Sequence, residues 1–186
     1  MVHENTSKPV VLVFAGPNGS GKSTIARQMP RYSTYINADI LKNEYALSDL
    51  KAAQAAEALR NKLVEKKADF TFETVLSTDR NLLLLQKAKE TGYEVQCVYI
   101  MTRNADINVA RVRGRVREGG HYVPEDKIRS RYDKALELLP KIIGVSDKIL
   151  IYDNSIMPVL VFKKDGHEYF PNELWSIGKL KELFKR

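Results

Sequence analysis

The stretch that decides the fold runs from Phe14 to Thr24, "FAGPNGSGKST". It sets Gly16, Gly19 and Gly21 in one turn, with Pro17, Asn18 and Ser20 between them, and closes on Lys22, Ser23 and Thr24. Gly16 to Ser23 fits the pattern G-x-x-x-x-G-K-[ST]. Ahead of it, "PVVLVFA" is a continuous apolar run rich in valine and reads as a strand buried on both faces. A helix is expected to start within the turn and run to about Met29. The residue types follow from the task of holding a polyphosphate. Glycines let the backbone aim its N–H groups inward at phosphate oxygens. The helix N-terminus adds positive potential. Lys22 reaches the β- and γ-phosphates, and the Ser23 hydroxyl can ligate Mg²⁺. Gly16 through Thr24 are therefore the expected nucleotide cradle.

Outward from the loop, strands and helices alternate. "STYINAD" reads as a second short strand ending at Asp39, and "SDLKAAQAAEALRNKLVEKKA" as a helix. "DFTFETVL" is a third strand, "TDRNLLLLQKAKETG" a helix closed by Gly92, and "YEVQCVYIM" a fourth strand. An arginine-rich helical segment, 105–118, is broken by "GGHYVP", and a second helix begins near Pro124. "KILIYDNS" is a fifth strand, "VLVFKKDGHEYF" a hairpin turning at Asp165-Gly166, and "NELWSIGKLKELFKR" a closing amphipathic helix. The pattern predicts one α/β domain over 1–186, with helices on both faces of a layered sheet. Spacing does not give the strand order.

Composition narrows the setting. The single cysteine, Cys97, excludes an internal disulfide framework and fits a reducing compartment. No apolar run is long enough to span a bilayer, and the N-terminus "MVHENTSKP" lacks a signal-peptide core. The expected location is cytoplasmic, with no membrane partner. The net charge of +7 favours polyanions. Seven arginines (Arg103, Arg111, Arg113, Arg115, Arg117, Arg129 and Arg131) fall in one stretch. Helical spacing sets Arg111/Arg115 and Arg113/Arg117 on opposite flanks of a Val109, Val112, Val116 strip. Guanidinium groups stabilise the charge that spreads over a phosphoryl group in transfer. The two arginine-bearing segments read as a lid with a flexible corner.

Nucleotide binding alone does not name a reaction. No N-K-x-D base reader and no L-S-G-G-Q signature is present, which leaves a small kinase as the best fit. A kinase needs a carboxylate near the γ-phosphate. Asp39, at the end of the second strand, is the candidate base, with capping of the next helix as its other reading. Glu73 ends the third strand, where glutamate is uncommon, and is a candidate contact to the acceptor or metal. Thr74 and Ser77 follow as hydroxyl contacts. His121 reads as a structural hydrogen-bonding group. "YDNS", carrying Asn154, lies where such folds build a wall of the adenine pocket, and a plain turn explains it nearly as well.

The ordered set "GPNGSGKST", "NAD", "FETVLS", "RVREGGHYVP", "RSRY" and "YDNS" resembles the zeta-toxin family of P-loop kinases, most closely its compact chromosomal members, over roughly Val10 to Ser155. The resemblance implies a five-stranded parallel sheet, ATP with Mg²⁺, and phosphorylation of a UDP-activated amino sugar, typically UDP-N-acetylglucosamine at its 3′ hydroxyl. It implies that Lys22 and Ser23 hold the phosphates and metal, that Asp39 is the general base, and that Glu73 contacts the sugar. It further implies that Arg115 and Arg131 grip the phosphates, with Arg129 a rival for the second place. Longer members have Glu-Gly-Thr where this chain has Glu73-Thr74-Val75. An antitoxin protein is a candidate partner. Two alternatives stay open. One is a polynucleotide or nucleoside kinase, against which the scarcity of aromatics among the arginines counts. The other is an ATP-dependent switch with no small acceptor.

Overall fold

The computed structural model describes residues 8–32 and 34–172. In chain order the elements are β1 (Val10–Ala15), α1 (Lys22–Gln28), β2 (Thr34–Ile36), α2 (Ala38–Glu44), α3 (Asp49–Glu65), β3 (Phe70–Thr74) and α4 (Arg80–Glu90). They continue as β4 (Glu94–Met101), α5 (Ala105–Arg117), α6 (Glu125–Glu137), α7 (Leu139–Val145), β5 (Lys148–Asp153), β6 (Val159–Asp165) and β7 (Glu168–Pro171). These strands form one sheet in the order β2-β3-β1-β4-β5-β6-β7. The first five run parallel, as expected, and the hairpin extends the same sheet antiparallel along β5. The closing helix expected after the hairpin lies outside the described residues.

Side-chain alternation along β1 builds two layers at once. Val11, Val13 and Ala15 enter the large core with Phe70, Phe72, Leu85 and Ile142. Leu12 and Phe14 point the other way, onto Ile25 and Ala26 of α1. A third cluster holds the lid together: Val109 and Val112 of α5 pack on Val123 and Ile128, which is the valine strip read from the sequence. Buried Cys97 has its thiol pKa pushed above the ordinary value by burial, as suits a residue that only packs. At the far end of the sheet, buried Lys164 of β6 donates to the Ile143 and Ser146 carbonyls (2.9 and 2.6 Å), closing the C-terminus of α7.

The boundary that bears on the site differs from the sequence reading. β2 stops at Ile36, and a short helix, α2, begins at Ala38. Asn37 caps it, its side chain accepting from Asp39 N at 2.8 Å. Asp39 therefore stands in the first helical turn, neither ending a strand nor capping a helix. An asparagine at the junction satisfies an orphan helical N–H, which competes with strand extension.

Candidate active site

The parallel strands all deliver their C-terminal ends to one edge, where ligands bind in such sheets. β1 leads there into the glycine turn. Gly16 has φ +137, and a Cβ on it would stand 2.0 Å from the Ile100 carbonyl oxygen. Gly19 has φ +77, and its Cβ would meet the Asn108 carbonyl oxygen at 2.6 Å. Both positions thus require glycine for conformation and for space.

Lys22 opens α1 and is buried. Its Nζ donates to the Gly16 and Pro17 carbonyls at 2.6 and 2.8 Å. Burial lowers its pKa to about 8, and the positive charge of Arg115 adds to the lowering, while Glu73 and Asp39 oppose it. Charges on β3, α2 and α5 thus all bear on Lys22.

Ser23 is exposed on the first turn of α1, and its hydroxyl donates to Glu73 Oε2 at 2.8 Å. The other Glu73 oxygen accepts from the Tyr35 hydroxyl, whose ring lies beneath the Arg31 guanidinium at 4.5 Å. Burial and the Glu73 carboxylate push the Tyr35 pKa up to about 12, so the phenol stays a donor. A hydroxyl and a carboxylate side by side are hard oxygen donors of the kind Mg²⁺ takes when phosphates supply its other ligands. Register explains the meeting. Glu73 pairs with Phe14 and Tyr35 with Thr71, so both project to the α1 face. Tyr35 was missed from the sequence because strand order, and with it the neighbour of β3, was not legible there.

Other expected site residues are placed as follows. Thr74 is buried, and its hydroxyl accepts from Leu76 N and Asn81 Nδ2 (3.0 and 2.8 Å), a turn-closing duty. Ser77 is half-buried, and Thr24 is exposed beside Ser23. Arg115 donates to the His121 carbonyl at 2.9 Å. Arg131 reaches the tip of the glycine turn, 3.5 Å from Asn18 Oδ1. Arg129 is taken up by Asp106 and Glu125 (2.7 and 2.9 Å), fastening α6 to α5. Asn154 donates to the Ser20 carbonyl at 2.8 Å, so its side chain holds the cradle from behind. Asn108, which the sequence reading did not single out, donates from α5 to the Asn18 carbonyl at 2.6 Å.

No described helix is long and apolar enough to cross a membrane. The family model described as "Zeta toxin" matches residues 27–160, beginning just after the glycine turn. An uncharacterized protein of Haemophilus influenzae is 33% identical over 127 residues, spanning 65% of this chain and 91% of its own length. Among solved structures, the AvrRxo1-ORF1:AvrRxo1-ORF2 complex with sulphate ions superposes with a TM-score of 0.74 at 16% identity over 96% of this chain. This chain spans only 64% of the AvrRxo1 chain it matches. The same complex has also been solved with ATP, matching with a TM-score of 0.69 at 16% identity over 96% of this chain and 64% of that one. A structure of the PezAT chromosomal toxin-antitoxin system of Streptococcus pneumoniae superposes with a TM-score of 0.59 at 20% identity, over 98% of this chain and 90% of that one.

Proposed function

The chain belongs to the Zeta toxin family, and on that footing we propose that it is an ATP-dependent kinase that phosphorylates a hydroxyl of a UDP-activated amino sugar such as UDP-N-acetylglucosamine. The observation that carries the reading is the glycine turn with Lys22 buried within it, its Nζ on the Gly16 and Pro17 carbonyls, and Ser23 hydrogen-bonded beside it to Glu73. In this reading the glycine turn and Lys22 seat the β- and γ-phosphates. Arg115 and Arg131 draw in from the lid onto the charge that develops in transfer. Asp39, exposed at the start of α2, accepts the proton of the acceptor hydroxyl. Ser23 and Glu73 are the residues that would hold Mg²⁺, which when bound supplies neutralisation of phosphate charge. Arg129, committed to Asp106 and Glu125, serves the lid rather than the phosphates.

An antitoxin protein fits as a partner by family and by likeness to PezAT. The test is incubation with Mg·ATP and a panel of UDP-sugars, nucleosides and oligonucleotides, read by mass for a gain of one phosphate. A phosphorylated UDP-sugar is the expected result. A product only from oligonucleotides assigns a polynucleotide kinase instead, and ADP release indifferent to every acceptor assigns a switch.

A further inference from the structure

A backbone cradle that turns its N–H groups inward must turn carbonyls outward, and buried carbonyls need donors. Two of them in this loop are met by side-chain amides from different elements: Ser20 O by Asn154 and Asn18 O by Asn108. Asn108 is fully buried on α5. Its Oδ1 accepts from the Thr102 hydroxyl, and the Thr102 carbonyl accepts from the Tyr132 hydroxyl of α6 at 2.7 Å. The backbone of Asn108 also forms the wall that only a glycine at 19 can approach. Arg111 and Arg115 rise from the same helix, Arg111 donating to the Ser155 carbonyl at 3.1 Å.

We propose that Asn108 is a positioning residue for nucleotide binding, an amide clamp that fixes the Asn18 carbonyl outward and ties the phosphate loop to the arginine-bearing lid helix. The proposal rests on the reading of the loop as an ATP cradle. A primary amide is suited to the place because one side chain donates to the loop while accepting from Thr102. An aliphatic side chain of similar size can do neither. An aspartate there keeps the shape but turns an acceptor against the Asn18 carbonyl.

The test compares the full-length wild type with Asn108→Asp, Asn108→Ala and Thr102→Val. Affinity for a non-hydrolysable Mg·ATP analogue is read by calorimetry, and melting is followed without nucleotide. Asn108→Asp is expected to weaken analogue binding roughly tenfold to a hundredfold, the scale of a buried acceptor left unpaired. The KM for ATP rises in step, while the KM for the acceptor stays put. Thr102→Val, which frees the far end of the clamp, is expected to weaken binding roughly threefold to tenfold. A folded Asn108→Asp that binds within about twofold of wild type overturns the proposal, since packing alone then explains the residue. If Asn108→Asp does not fold, unchanged binding by Thr102→Val overturns it and weakened binding supports it. A wild type with no affinity for the analogue sinks the cradle reading itself, an outcome distinct from equal binding by wild type and variant.

Discussion

The proposed donor and acceptor sides of the cleft are built differently. The donor side is backbone: a loop in left-handed conformations, walled by Asn108 and Ile100 and stitched from behind by Asn154. The acceptor side is side chains: Glu73 on β3 and Asp39 on α2, a helix whose Ala38 and Leu41 pack partly buried against the core. α2, which carries Asp39, contributes no buried residue, and Ile40, Tyr45 and Leu50 around it are exposed. A rigid donor cradle suits a ligand whose phosphates never vary. On the proposed function, an acceptor side made of exposed side chains is expected to vary without disturbing the ATP cradle.

The sharpest way to break this contrast is to disable each side by itself. Asp39→Asn is expected to lower single-turnover transfer about 10³-fold while leaving the affinity for Mg·ATP unchanged. Lys22→Ala is expected to lower transfer at least about 10²-fold and to weaken ATP binding as well. If Asp39→Asn weakens ATP as much as Lys22→Ala does, the two sides are not separable. The lid arginines come next. Arg131→Ala should cost roughly tenfold in turnover through the loop tip, against less than about threefold for Arg129→Ala, whose partners are surface carboxylates. Reversed magnitudes would assign the phosphate contact to Arg129.

Protonation sharpens the comparison further. Between about 8 and 10.5 the folded chain has released the Lys22 proton and the unfolded chain still holds it, so stability rises with pH across that window. Affinity for ATP moves the other way, because the charged ammonium is the form that grips phosphate. Titrations from neutral pH upward should show ATP binding weaken above about 8, and Lys22→Ala should flatten that profile. The smallest expected effect is a gain. Gly114 stands in mid-helix on α5 with no neighbour near the place of a Cβ, so Gly114→Ala should raise stability by about 0.5–1 kcal/mol in denaturant unfolding, with activity intact.

The donor side was legible because its chemistry is written in consecutive residues, Gly16 to Thr24, between a buried strand and a helix. The valine strip of α5 was legible for a similar reason, since helical period alone brings Val109 and Val112 together. Tyr35 and Asn108 were not legible, because each acts across strand order or across the sheet edge. Tyr35 meets Glu73 only once β2 lies beside β3. Asn108 meets Asn18 only once α5 crosses behind the loop. Asp39 was expected at a strand end and lies instead in the first turn of α2, because Asn37 diverts the chain into a helix one step after β2.

The family match ends at residue 160, just inside β6, as though the hairpin were an appendage. Lys164 argues otherwise. By tying off α7 it makes β6 a buttress for the helix that leads into β5 and so to Asn154. A cut at Gly166, which would leave β6 in place, should be tolerated far better than a chain ended at 158, which would leave the Ile143 and Ser146 carbonyls without their lysine donor. The hairpin is thus part of the frame that holds the nucleotide loop from behind.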